Sequence, residues 1–439
     1  MDRRLPSWAA ISLIERNSWS IRVVIDGPVV LQHHTPSGRL YPAGEHMYRI
    51  SKALFRFVLM PLVPFGPLAT VGSTPVIAAS TDTGSSGVAY AAGEVAKLRA
   101  VPTFTAPGSP VSVANVKGKS IFVIPLVPNP FNLVIQNTMQ YLAKQAGLHY
   151  KIYPNQGFVS QWVQAFNEAL SEKPDLIILS TAPDPRELQP QLSQAKAAGI
   201  PVLVTHFYDD SAPSPPQCDA CAGGVTALET APFNIAAKAE ADWIIADSGG
   251  HAHVLIVSSN DLLPSPAIVG SMETEYKSHC PGCTFTDVNV PVSEWNTKVG
   301  STVSAQLLAH PDMNYVDCLV DAMVQTAVPA VQLAGKAGKV KVISFNGSAF
   351  ALKYIANGDV MAMDVGEPTI WIGYAVMDQA FRILSGAGPV TDETTPIRIW
   401  DKTNISESGT PPSITKGYGA AAEQHFNELW GVHWPAYSE

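Results

Sequence analysis

Residues 173–205 read KPDLIILSTAPDPRELQPQLSQAKAAGIPVLVT, and this stretch decides the fold. The apolar run at 175–180 meets a turn, TAPDP at 181–185, and a helical stretch follows to Ala198. Gly199-Ile-Pro201 then leads into a second apolar run that ends at Thr205. Short runs rich in β-branched residues, spaced by one helix, make parallel neighbours, because parallel strands need a crossover and that crossover is right-handed. The same rhythm starts at Lys119. It predicts strands at 120–127, 149–153, 175–180 and 201–205, with helices at 131–145, 159–171 and 185–198. A turn-rich loop at 209–224 carries Pro213, Pro215 and Pro216 and interrupts it. A second series then predicts helices at 232–246, 266–278 and 296–309, and strands at 253–258, 284–290, 315–320 and 340–345. The expected fold class is α/β, with two doubly wound parallel-sheet lobes. Pro125 lies awkwardly within the first run, since it lacks the donor that a central strand uses.

Ligands of such sheets bind beyond the carboxyl ends of the strands. The residues there are Asn129, Phe131, Asp184, His206, Asn260, Asp261, Asp321, Asn346 and Glu367. Asn129, Asp184, Asp321 and Asn346 offer donors and acceptors to a small polar solute, and Phe131, with Trp162, Phe207 or Tyr208, offers an apolar face. Each has a plainer reading. Asn129 and Phe131 could serve as turn and core residues, and Asp184, Asp321 and Asn346 as helix caps. Glu367 could flank a hinge, and Trp162 and Trp371 sit at helical spacings that suit core packing. His206, beside Phe207 and Tyr208, is read either as a ligand contact for a carboxylate or phenol or as a satisfied core imidazole.

A chain of 439 residues, 46% hydrophobic, exceeds what one core sustains, so two lobes are expected. With 28 basic against 37 acidic side chains, the net charge of -9 repels nucleic acid and anionic lipid. Basic residues Arg49, Lys52 and Arg56, an apolar run at 57–71 and small residues at 78–80 have the layout of a secretory signal. Residues 47–79 are therefore read as a signal peptide, and 1–46 as a start codon chosen in error. Pro61, Pro64 and Pro67 interrupt the run well short of the roughly 20 residues of a membrane span. Export to a soluble, periplasmic or extracellular compartment follows. Residues 80–117, rich in Gly, Ser, Thr and Pro, read as a linker or surface arm.

Five cysteines form a second pattern: Cys218 and Cys221, Cys280 and Cys283 as two Cys-x-x-Cys pairs, and Cys318 in an apolar run. Export favours two local disulfides, with a shared zinc site as the rival. Cys318 reads as a buried, inert thiol.

Several landmarks resemble a known family. They are GKSIFVIP at 118–125 followed by NPF at 129–131, KPDLII at 173–178, AAGIPV at 197–202, VISFNG at 342–347 and IANG at 355–358. Ile372-Gly373 then leads a last helix. In this order and spacing the body resembles the type I periplasmic solute-binding proteins of ABC importers, within the ribose- and sugar-binding group. The resemblance implies two lobes joined by a three-segment hinge, a sugar-like solute captured between them, and delivery to an ABC permease in the membrane. It implies a monomer that binds and does not catalyse, without cofactor or metal. Its lobes are expected at 118–222 with 345–366, and at 223–344 with 367–405, followed by a C-terminal tail with a helix at 406–439. The sequence also departs from the family. The group usually ends its fourth strand in an aspartate, where His206 stands here. It places an arginine after the second lobe's first strand, where 262–269 holds no basic residue. The usual Phe-Asp-Gly triplet reads Phe345-Asn346-Gly347. These departures weaken a simple sugar and admit a small aromatic or carboxylate compound. A sensory subunit remains the rival of an importer. No His-Glu-x-x-His helix, nucleophile elbow or phosphate loop supports an enzyme.

Overall fold

The computed structural model describes residues 83–181, 183–211, 223–391, 393–419 and 422–437. Its first sheet runs in the order β2 (His149–Ile152), β1 (Ser120–Pro125), β3 (Leu176–Ser180), β4 (Val202–Asp209) and β5 (Ala227–Ala231), all parallel. Side chains alternate across it. Ile121, Val123, Leu176 and Ile178 enter one core, while Phe122, Ile124, Ile177 and Leu179 enter the other. Both faces are covered, which is why these strands are apolar throughout instead of alternating. Pro125 fits because pairing of β1 with β2 has ended at Val123 and Ile152. Leu126 N–H donates towards β3, to the Ser180 carbonyl at 3.1 Å, so the absent donor of Pro125 would point to the vacated side.

Helix α2 (Pro130–Ala146) starts where Asn129 Oδ1 accepts from Asn132 N–H at 2.8 Å and Pro130 fills the first turn. It ends at Gly147, whose φ of 70° is a left-handed cap. Helices α3 (Val159–Glu172) and α4 (Gln189–Ala198) cover the other face.

The second sheet has the order β11 (Arg398–Asp401), β10 (Met361–Gly366), β9 (Lys341–Asn346), β8 (Tyr315–Cys318), β6 (His253–Ser258) and β7 (Thr284–Asn289). All its pairs are parallel except β10 with β11. Helices α5 (Phe233–Ser248) and α6 (Ser265–His279) pack together, as do α7 (Trp295–Ala309) and α8 (Asp321–Leu333), while α9 (Ala349–Ala356) lies against β10.

Strand pairing corrects the expected lobe boundaries. Residues 345–366 do not return to the first lobe: β9 bonds to β8 and β10 to β9, lengthening the second sheet. Conversely β5, placed by sequence in the second lobe, pairs with β4. Helix α10 (Thr369–Ser385), also expected in the second lobe, packs on α2 of the first, with Ile370, Tyr374 and Phe381 in that lobe's core. The supposed linker contains α1 (Thr83–Arg99), a helix that packs on α5 and α6 and brings Ala91 and Val95 into the second core. The expected signal peptide and mis-assigned start lie outside the described residues.

The two lobes are joined by more chain than three segments. Three crossings connect β5 to α5, β10 to α10 and α10 to β11. A fourth leads from α1, on the second lobe, to Val111, whose N–H donates to the Leu429 carbonyl and whose side chain lies in the first core. A fifth connects β11 to the C-terminal helix α11 (Ala422–Trp430), whose Trp430 stacks on Tyr374 of α10 while Phe426 meets the same ring at a tilt. Phe104 of the N-terminal crossing stacks on Trp371 and His425, tying the two extensions together.

Candidate functional site

The carboxyl ends of both sheets face one cleft. It encloses about 740 Å³ of empty space, counting its open mouth. The first lobe supplies Asn129, Phe131 and Asn132 from the start of α2, Thr181 after β3, and His206 and Phe207 from β4. The second supplies Phe233, Ile268 and Trp295 from helix starts, Leu262 and Pro264 after β6, Leu319 and Val320 after β8, and Phe345, Asn346, Ser348 and Phe350 around the end of β9.

His206 is the centre of the site. Pairing of β4 with β5 loses register between Thr205 and Asp209, and His206 takes a φ of 49°. An irregularity of this kind re-aims a side chain. Here the ring turns between Phe131, Phe233 and Phe345, with centroid distances of 5.2, 5.3 and 6.5 Å. Two other lining residues, Thr181 (φ 53°) and Asn346 (φ 132°), also hold backbone conformations that side-chain-bearing residues avoid. Such strain costs of order 1–3 kcal/mol per residue and clusters where geometry serves function.

Behind His206 lies a buried acid. Glu367, fully buried between β10 and α10, meets His206 Nε2 with both oxygens at 3.0 and 2.9 Å, and accepts from Asn346 Nδ2 at 3.3 Å. Burial tends to strip the imidazole of its proton, yet the Glu367 carboxylate outweighs burial and the His206 pKa is raised. Glu229 of β5 accepts from His206 N–H at 3.0 Å, and burial pushes its carboxyl up to about 8. The end of β4 is thus fixed by an ion pair to the crossing between β10 and α10.

The predicted residues divide into three groups. Asn129, Phe131, His206 and Asn346 line the cleft together, while Glu367 stands behind them and orients His206. Asp184 and Asp321 do not reach it. Asp184 caps the turn at Pro185–Leu188 by accepting from Arg186 N–H at 2.8 Å, and the Arg186 guanidinium chelates it. Asp321 accepts from Ser348 N–H at 2.7 Å inside the second lobe, where Asp317, Asp364 and Glu240 are buried too. Burial pushes Asp317 and Asp321 up to about 7, and Glu240 and Asp364 well above the carboxylate range. Asn260 and Asp261 anchor the 289–292 turn, through Asn260 N–H to Asn289 Oδ1 at 2.7 Å and Val292 N–H to Asp261 Oδ2 at 3.0 Å. Trp162 is a core residue that donates to the Leu126 carbonyl at 3.0 Å.

Cys280 and Cys283 form a disulfide after α6, so this pair neither shares zinc with nor bridges to the other. Cys218 and Cys221 lie outside the described residues. Cys318 is buried, and burial drives its thiol well above the usual range. No described helix is long and apolar enough to cross a membrane.

Two doubly wound lobes with a hinge, whose strand tips converge on one enclosed cleft, define a two-lobed binding protein of type I architecture. The profile of the periplasmic binding protein domain matches residues 120–388, and the chain belongs to that family of binding proteins, not enzymes. None of the curated proteins compared matches it in sequence. Among solved structures, an ABC transporter solute-binding protein from Agrobacterium vitis with bound allitol is similar at a TM-score of 0.58 and 20% identity, covering 66% of this chain and 98% of that one. The Caulobacter myo-inositol binding protein gives a TM-score of 0.58 at 19% identity, covering 67% and 96%. A Mycobacterium smegmatis protein in complex with β-D-fucofuranose gives 0.59 at 15%, covering 73% and 100%. At these identities the likeness speaks for the fold.

Proposed function

We propose that this protein is the exported solute-binding component of an ABC importer. It works as a monomer, traps one small organic solute between its lobes, and presents the closed form to a membrane permease. The observation that carries this reading is the cleft itself: side chains from both lobes, at the carboxyl ends of two parallel sheets, surround one cavity beside the hinge. The family and the solute-loaded neighbours support the same role. Capture requires the guest to prefer the closed state, and its differential affinity sets how far the lobes move.

The test is a solute screen on the purified protein, read by thermal shift and small-angle scattering. The panel holds the sugars and polyols of the neighbours together with small ring compounds. A true ligand at 100 times its Kd stabilises the native state by about 2.7 kcal/mol and should reduce the radius of gyration. A panel in which no compound does either would refute the proposal.

A further inference from the structure

The cleft is lined unlike a polyol site. Among the described residues, no Asp, Glu, Lys or Arg faces it. Where the resemblance leads one to expect a sugar-binding aspartate, His206 stands, and where it leads one to expect an arginine, the wall is Leu262, Pro264 and Ile268. Most of the remaining wall is aromatic or aliphatic.

Several of the polar atoms present are committed inside the protein. Asn129 Oδ1 caps α2, Asn132 Nδ2 donates to the Val127 carbonyl at 2.7 Å, and Thr181 Oγ donates to the Ser180 carbonyl at 2.7 Å. A hexose or inositol buried here would leave several hydroxyls unpaired, which is costly for each. Charge narrows the guest further. The ion pair of His206 and Glu367 satisfies itself at 2.9 Å, so among the described lining residues a bound carboxylate finds no spare cation and a bound ammonium no spare anion.

Resting on the reading of this cleft as the solute site, we propose that the solute is a small neutral ring compound, aromatic or alicyclic. Its hydrocarbon body packs against the aromatic wall to which Phe131, Phe233 and Phe345 contribute, and its single hydrogen-bonding group meets the polar rim of Asn129, His206 and Asn346. Aromatic walls of this kind bind a flat apolar body through area and ring geometry, with a few polar groups to orient it.

Three probes that share a six-membered ring separate the classes: cyclohexanol, cyclohexanecarboxylate and myo-inositol, titrated calorimetrically into the full chain. Cyclohexanol is expected to bind at least about tenfold tighter than either other probe. Phe233→Leu should weaken it by about tenfold or more, and Phe345→Leu serves the same purpose if the first variant loses its native circular dichroism. Equal or tighter binding of myo-inositol or of the carboxylate overturns the inference, as does cyclohexanol affinity that neither leucine variant alters. Polyol capture accompanied by lobe closure would overturn this narrowing and leave the importer reading standing. A cleft that none of the three probes enters overturns this inference as well, while the importer reading stands or falls on the wider panel.

Discussion

Replacing Glu367 by Gln keeps the shape of the side chain and removes the charge that keeps His206 protonated. In the native protein the His206 pKa is raised, so this residue's contribution to stability is complete below the ordinary histidine pKa and fades as pH rises through the folded value. In Glu367→Gln only burial remains to act strongly, and the folded pKa should fall below the ordinary one. The sign then reverses, and His206 destabilises the fold progressively as pH drops. At pH 5 the variant must either bury an unpaired imidazolium or hold the ring neutral, and the latter costs about 2 kcal/mol at 1.4 kcal/mol per pH unit. Loss of the charge-assisted bonds at 2.9 and 3.0 Å adds about 1.5–3 kcal/mol. The expected destabilisation is therefore about 3–5 kcal/mol at pH 5, but only about 1 kcal/mol at pH 8, where a neutral hydrogen bond suffices. Urea midpoints of both proteins at the two pH values, with unchanged m, measure this difference. A pH-independent difference, or one larger at pH 8, would show that the pair is not charged in the fold.

Two further outcomes follow from burial and from the cysteines. Burial raises Glu229 to about 8 and Asp242, Asp317 and Asp321 each to about 7. Their stabilising effect is complete below about pH 4 and is lost as pH rises through 7 and 8, so the melting temperature should fall from pH 5 to pH 8; a flat or rising profile contradicts protonated buried carboxyls. Alkylation of the denatured, unreduced protein should label Cys318 and neither Cys280 nor Cys283, with Cys218 and Cys221 protected as well if the sequence reading of a second local bridge holds; labelled Cys280 peptides in mass spectra would remove the observed bridge.

The strand-and-helix rhythm was legible because buried parallel strands are apolar from end to end, and 173–205 shows two of them with their crossover. Lobe membership after residue 223 was not. Both β5, with its internal Glu229, and α10, hydrophobic nearly all round, belong to the first lobe, yet neither carries a local mark of which sheet it joins. Helix α1 was hidden by its glycines and serines, whose weak intrinsic preference is overridden by packing on α5 and α6. Strand-tip position picked out Asn129, Phe131, His206 and Asn346, which line the cleft, but could not separate an aspartate facing the cleft from Asp184, which caps a turn, or Asp321, which accepts from Ser348 N–H inside the second lobe. Phe233 was missed because it opens a helix after a proline, where an aromatic looks like ordinary core. The neighbouring Phe345 lay in a stretch read as a strand and for the family triplet, not as part of the cleft wall.

The two terminal extensions change what release of a guest involves. A pair of lobes on three tethers can swing apart by bending three backbone segments, whereas here the passage from α1 to Val111 and the one from β11 to α11 must bend as well. Phe104 locks these two passages against Trp371 and His425, so they yield together. Lobe opening is therefore a concerted bending of five backbone segments, and it draws on the packing of the two termini as well as on the contacts inside the cavity.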